Sequence, residues 1–161
     1  MTDEDWMRLA IKAANQAGAI SEIPVGAIVV HNEKVIGTGW NKPITTHDPS
    51  AHAEMIAVRQ AAKYLENYRM IDCTLYVTLE PCPMCAGLLV HSRIKRLVFG
   101  ASDYKTGCAG SIMNLVAHPS LNHQIEVEHG VLQSECSSMI SDFFKRRRAE
   151  KKLEKESKFT K

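Results

Sequence analysis

The run TLYVTLEPCPMCAGLLVHSRIKRLVFG, residues 74–100, changes its hydrophobic habit twice. Thr74 to Leu79 is a short β-branched strand, and Arg96 to Gly100 is a second apolar strand. Between them Pro81 to His91 reads as a helix, with Pro83 near its first position, where a missing amide donor costs nothing.

The same alternation extends outward on both sides. Ala51 to Leu65 is rich in helix formers, with Ala53, Ile56, Ala57 and Ala61 available to face a sheet. Asn41 to Ser50, with two prolines and Asp48, is a loop. Before it, Val25 to Val30 and Val35 to Trp40 form two β-rich runs joined by a hairpin turn at His31-Asn32-Glu33-Lys34. Thr2 caps an opening helix whose apolar positions are Trp6, Leu9, Ala10, Ala13, Ala14 and Ala17. Towards the C-terminus, Gln124 to Glu128 reads as a short strand. Gln133 to about Lys155 reads as a long helix with Cys136, Met139, Ile140, Phe143 and Phe144 on its apolar face. This order predicts an α/β sandwich, a sheet with helices on both faces. Strand order does not follow from these patterns.

At 161 residues the chain is expected to be one domain, residues 1–161, with a core that needs no disulfides. A composition of 45% hydrophobic and 24% charged residues excludes disordered, fibrous and membrane classes, and no apolar run reaches the length of a membrane span. The acidic start, Met1 to Trp6, lacks the basic and apolar regions of a secretory signal, which points to the cytoplasm. Five cysteines, an odd number, argue against a disulfide scaffold. The net charge of +2 hides an asymmetry. From about residue 145 a basic helix end and tail carry nine Lys and Arg against three Glu, so the residues before it sum to −4. That distribution points to a polyanionic partner, a solvated helix end being the alternative.

Chemistry is concentrated in His52-Ala53-Glu54 and Pro81-Cys82-Pro83-Met84-Cys85. One imidazole and two cysteines hold a zinc ion with three protein ligands, leaving a fourth position for water and a carboxylate to move its protons. Cys82 and Cys85 project to one side of a helical first turn. Residues 52 and 54 stand about 200° apart on an ideal helix, so they converge only at its open end. An isolated C-x-x-C also marks structural zinc knuckles and redox pairs. With an H-x-E ahead of it, and both at helix starts, it describes a hydrolytic site.

At these residues the chain resembles the zinc-dependent nucleoside and nucleobase deaminases, and it is similar to their bacterial tRNA-specific adenosine deaminase branch from about residue 3 to residue 150. The shared words include Ile23-Pro24-Val25-Gly26-Ala27, Gly39-Trp40-Asn41, His47 to Glu54, Thr78-Leu79-Glu80-Pro81-Cys82, Lys105-Thr106-Gly107 and Leu121-Asn122-His123. The resemblance implies a three-layer cytidine-deaminase-like sandwich around a five-stranded mixed sheet, and a homodimer. It implies one Zn2+ per chain on His52, Cys82 and Cys85, Glu54 as the catalytic proton shuttle, and conversion of adenosine to inosine at the wobble position of a tRNA anticodon. Asn41 then hydrogen-bonds the purine, Val25 walls the base pocket, and the Ala53 amide meets the base near the attacked carbon. Asp103, Lys105, Asn122, His123, Arg146, Arg147 and Arg148 fall where the family meets the anticodon stem-loop.

The residues alone leave other readings open. Asn41 can cap a turn, Asp103 can be ordinary loop chemistry, His123 can be a surface histidine, and the arginines can solvate a helix. Phe143 and Phe144 read as core or dimer contacts. Deamination of free bases or nucleosides, and a non-catalytic zinc module that binds RNA, are the competing functions.

Overall fold

The computed structural model describes residues 1–159; Lys161, counted above in the basic tail, lies outside them. The elements in chain order are α1 (Asp3–Ala19), β1 (Gly26–His31), β2 (Lys34–Trp40), α2 (Pro43–Thr46), α3 (Ala53–Leu65), β3 (Thr74–Leu79), α4 (Pro83–His91), β4 (Arg96–Ala101), β5 (Glu126–His129) and α5 (Gln133–Phe159). The five strands form one mixed sheet in the order β2-β1-β3-β4-β5. β1 runs antiparallel to β2 and β3, while β3, β4 and β5 are mutually parallel.

Side-chain alternation along the strands builds two cores. Ala27, Val29, Leu75, Val77, Leu97 and Phe99 point to the layer of α3 and α4. Ile28, Val30, Tyr76 and Val98 point to α1 and the start of α5. A strand buried on both faces must be apolar at successive positions, and β1, β3 and β4 are. The three-layer sandwich expected from the sequence is therefore present.

Local physics accounts for the boundaries. Thr2 and Asp5 form a capping box at the start of α1. Asn32 and Glu33 both have positive φ, 49° and 60°, as a two-residue hairpin turn of the primed type requires. The segment expected to be loop after β2 contains the single turn α2, begun by Pro43. On α1, Leu9 is 36% exposed and Met7 is fully buried, the reverse of the expected pattern. The buried face is centred on Ala10, and Leu9 lies about 100° from it. Phe144 is 40% exposed, whereas Phe143 is buried.

A bidentate pair ties α1 to β4: Arg96 donates to both carboxylate oxygens of Asp3 at 2.8 and 2.7 Å, and the Tyr76 hydroxyl donates to Asp3 at 2.9 Å. Hydrogen bonding from Arg96 holds the Asp3 carboxyl below its ordinary 3.8. Its stabilisation is thus present at neutral pH and is lost as pH falls through the lowered value. Asp3→Asn is expected to cost about 1 kcal/mol at pH 7, because the pair is partly exposed. Urea denaturation checks this: the difference from the parent chain is to shrink below pH 3.8.

Candidate functional site

One end of the strands collects the chemistry. Gly26 of β1 pairs with Trp40 at the end of β2, Ala27 with Val77, and Leu79 with Ala101. Val25, Asn41, the turn Glu80-Pro81-Cys82 and the loop after β4 therefore emerge side by side. Helix α3 is brought to the same end by two glycines of β2. A Cβ on Gly37 would stand 2.1 Å from the Ala57 carbonyl oxygen, and one on Gly39 would stand 2.3 Å from that of Ala53. Only glycine lets the helix backbone approach this closely.

His52 and Cys82 are not within helical first turns, as the sequence pattern suggested. They are the N-cap residues of α3 and α4, both with extended backbone, at φ −78°, ψ 153° and φ −74°, ψ 175°. Since His52 is not helical, the angular separation of an ideal helix does not apply, and it shares a site with Glu54 two residues on. Neither N-cap side chain makes the usual capping bond to its own helix. Both turn instead to a common point: His52 Nδ1 lies 3.6 Å from Cys82 Sγ and 3.6 Å from Cys85 Sγ. All three donor atoms lie within 4.8 Å of one another, forming the only such group among the described residues.

The donor set fits zinc. Tetrahedral bonds of about 2.1 Å to nitrogen and 2.3 Å to sulfur separate these donors by about 3.6 Å. Protonation in the cluster has the same meaning. A hydrogen bond from Cys85 holds the Cys82 thiol down at about 4, and the same bond pushes Cys85 above the usual thiol range. Hydrogen bonding to Cys82 raises His52. Binding of a divalent cation to such a set displaces the protons that its ligands hold. Glu54, only 4% exposed, stands at the second position of α3. Burial pushes its carboxyl up to about 7, and the neighbouring Cys82 adds to the rise.

Comparison with known proteins agrees. Residues 1–101 match the family described as the cytidine and deoxycytidylate deaminase zinc-binding region. The chain belongs to that family. A tRNA-specific adenosine deaminase of Haemophilus influenzae is 56% identical over 154 residues, covering 95% of this chain and 89% of the relative. The enzyme of that name from Bacillus subtilis is 48% identical over 150 residues, covering 93% of each chain. A solved structure concerned with A-to-I editing by tRNA:A34 deaminases superposes with a TM-score of 0.81 at 37% identity, covering 84% of this chain and 98% of that one. This zinc-binding deaminase therefore shares its fold with a tRNA:A34 deaminase, and its His52, Cys82 and Cys85 cluster suits the zinc that its family binds.

Other residues singled out in the sequence fall into two groups. Asn41 is at the site, and its Oδ1 accepts the Ala53 amide at 3.0 Å. That bond caps α3 from outside and leaves the Asn41 amide nitrogen for a ligand. It also commits the Ala53 amide, which was expected to face a base. Val25 is buried against the α3 side of the sheet. Asp103 lies beside the site, yet its carboxylate accepts the amides of Lys105 and Thr106 and the Thr106 hydroxyl, so it serves its own loop. Exposed Lys105 lines a cleft of about 480 Å3 with Ile23, Tyr104 and Phe144.

Arg146 and Arg147 donate to the carbonyls of Gly18 and Ser21 at 3.4 Å and stack on Phe143. α1 has no basic residue in its last turn, and α5 supplies one there. Arg148 is exposed. Asn122 and His123 are elsewhere. β5 runs parallel to β4 with Glu126 opposite Arg96, so the segment before β5 emerges at the opposite end of the strands from the site. There His123 Nε2 bonds the Ile94 carbonyl at 2.6 Å. Within one chain the structure does not bring these two residues to the zinc ligands. Cys108 is fully buried, and burial raises its thiol above the usual value.

Sequence reading missed two buried carboxylates beside the site. Glu22 accepts the Ile44 and Thr45 amides and the Thr45 hydroxyl, which anchors α2. Glu80 anchors the loop after β4. A single glutamate near a strand end carries no signal of where its oxygens go.

Proposed function

We propose that this deaminase converts adenosine to inosine at the wobble position of a tRNA anticodon, as a cytoplasmic homodimer with one deaminase domain per chain over residues 1–161. The observation that carries the proposal is the His52, Cys82, Cys85 cluster with buried Glu54 beside it, in a chain 56% identical to an enzyme named for that substrate.

His52, Cys82 and Cys85 hold the metal, and two thiolates with a neutral imidazole balance its charge. When bound, the zinc lowers the pKa of a water molecule and supplies the nucleophile for hydrolysis. Glu54 takes a proton from the attacking water as its oxygen bonds to adenine C6, and delivers a proton to N1. It then assists departure of the amino group as ammonia, leaving the water oxygen as the carbonyl of inosine. Burial disfavours the charge on this carboxyl, which suits a group that must take up a proton and pass it on. Asn41 presents its amide nitrogen to the purine, and Val25 walls the base.

Lys105 and the basic face of α5, including Arg146, Arg147 and Arg148, supply charge for the phosphate backbone. A flipped base in an unpaired loop needs such a rim. The five cysteines are free, in keeping with a reducing cytoplasm, and no helix among the described residues is long and apolar enough to cross a membrane. Ammonia release from anticodon stem-loops and from free nucleosides tests the substrate. Turnover of free nucleosides alone would overturn it.

Support for the homodimer comes from α4. It is apolar all round, yet Met84 is 37% exposed, and a Cβ on Gly87 would meet nothing within 4 Å. Gly87→Arg is expected to convert the dimer to monomer in sedimentation velocity. An unchanged sedimentation coefficient would place the dimer contact elsewhere.

A further inference from the structure

The Glu80 carboxylate has no part in holding the metal, yet it is only 3% exposed and saturated with donors. It accepts the amides of Asp103 at 3.0 Å, Ala109 at 2.9 Å and Ser111 at 3.0 Å, and also the Ser111 hydroxyl. The main chain reinforces it. The Glu80 amide donates to the Ala101 carbonyl at 2.9 Å, and the Cys108 amide donates to the Pro81 carbonyl at 2.8 Å. A Cβ on Gly107 would come within 2.4 Å of the Glu80 carboxyl carbon, so the loop lies directly on this group.

The loop from 102 to 111 has amides that no strand satisfies. Only a carboxylate, with two oxygens and no donor, accepts four hydrogen bonds from so small a volume. An amide of the same shape would turn a donor towards other donors. Tyr104, 79% exposed, and Lys105 sit on this loop.

The geometry points to Glu80 as a positioning residue for the RNA substrate, a buried clamp that fixes loop 102–111 against the turn leading to Cys82. The inference rests on the RNA reading above. Glu80 acts through the loop and not on the reacting atoms, so losing it separates binding from chemistry.

The test uses zinc-loaded Glu80→Gln. Zinc content is expected to hold, kcat to change less than about threefold, and KM for an anticodon stem-loop to rise about tenfold or more. Deuterium uptake at the amides of Asp103, Ala109 and Ser111 is expected to quicken by about tenfold or more. Gly107→Ala, which presses on the clamp while Glu80 stays intact, is to reproduce the pattern and carries the test if the first variant does not fold. Unchanged KM and exchange in both variants would overturn the inference. So would a loss of kcat at constant KM, or loss of zinc in both, since Glu80 would then serve the metal turn. If the parent enzyme ignores RNA, the function reading fails, while the exchange experiment still decides whether the clamp exists.

Discussion

Glu54→Gln is expected to lower inosine formation by about 10³-fold or more, while zinc stays bound and the RNA dissociation constant is little changed. Such a loss corresponds to about 4 kcal/mol of transition-state stabilisation. Gln keeps the size and shape of the side chain at the second position of α3, in a site where burial already disfavours charge. Stability is therefore expected to hold or rise slightly. What is expected to disappear is the ability to take a proton from water and return it to adenine N1. Single-turnover inosine formation, zinc analysis and RNA binding on one preparation check all three statements. A loss below tenfold would remove Glu54 from the proton path, and turnover by the parent that the variant loses at intact RNA affinity would exclude a module that merely binds RNA.

Cys82→Ala is expected to reduce bound zinc to a trace and inosine formation by about 10³-fold or more, and removal of zinc by a chelator is to have the same effect on the parent chain. Readdition of zinc is to restore the parent and not the variant. Neither treatment is expected to unfold the chain. Both cores are built on the sheet by side chains from all the long helices, and none of their packing passes through the metal. Far-UV circular dichroism is thus to remain unchanged, in contrast to a zinc finger. Full zinc occupancy in Cys82→Ala would refute the ligand assignment.

Much of this enzyme was legible locally. The N-cap at Thr2, the hairpin between β1 and β2 and the strand β3 stand where local pattern placed them, and α4 is led by Pro83 but begins two residues later than expected; each is decided by side chains within one or two turns of chain. Misreadings were local too, but governed by packing. Leu9 is apolar yet lies off the face that meets the sheet, and Phe144, read as a core or dimer contact, lines a cleft and does not join the core. Helices α3 and α4 begin two residues later than expected, which makes His52 and Cys82 N-cap residues. That shift matters, because an N-cap residue is extended and its side chain is free to leave the helix.

What the chain dictated by itself was the donor chemistry: which residues can bind zinc, which carboxylate can move protons, and which segments are helix or strand. Those depend on side-chain identity and short-range geometry. The tertiary structure decided what comes together. Parallel pairing of β4 and β5 sent Asn122 and His123 to the opposite end of the strands, and antiparallel pairing of β1 brought Val25 and Asn41 to the end that holds the site. Two glycines seated α3, and Glu80 reached across the turn to hold a loop more than twenty residues away. Register between distant strands and the aim of a buried carboxylate are set by the packing of the whole sheet, and no local pattern encodes them.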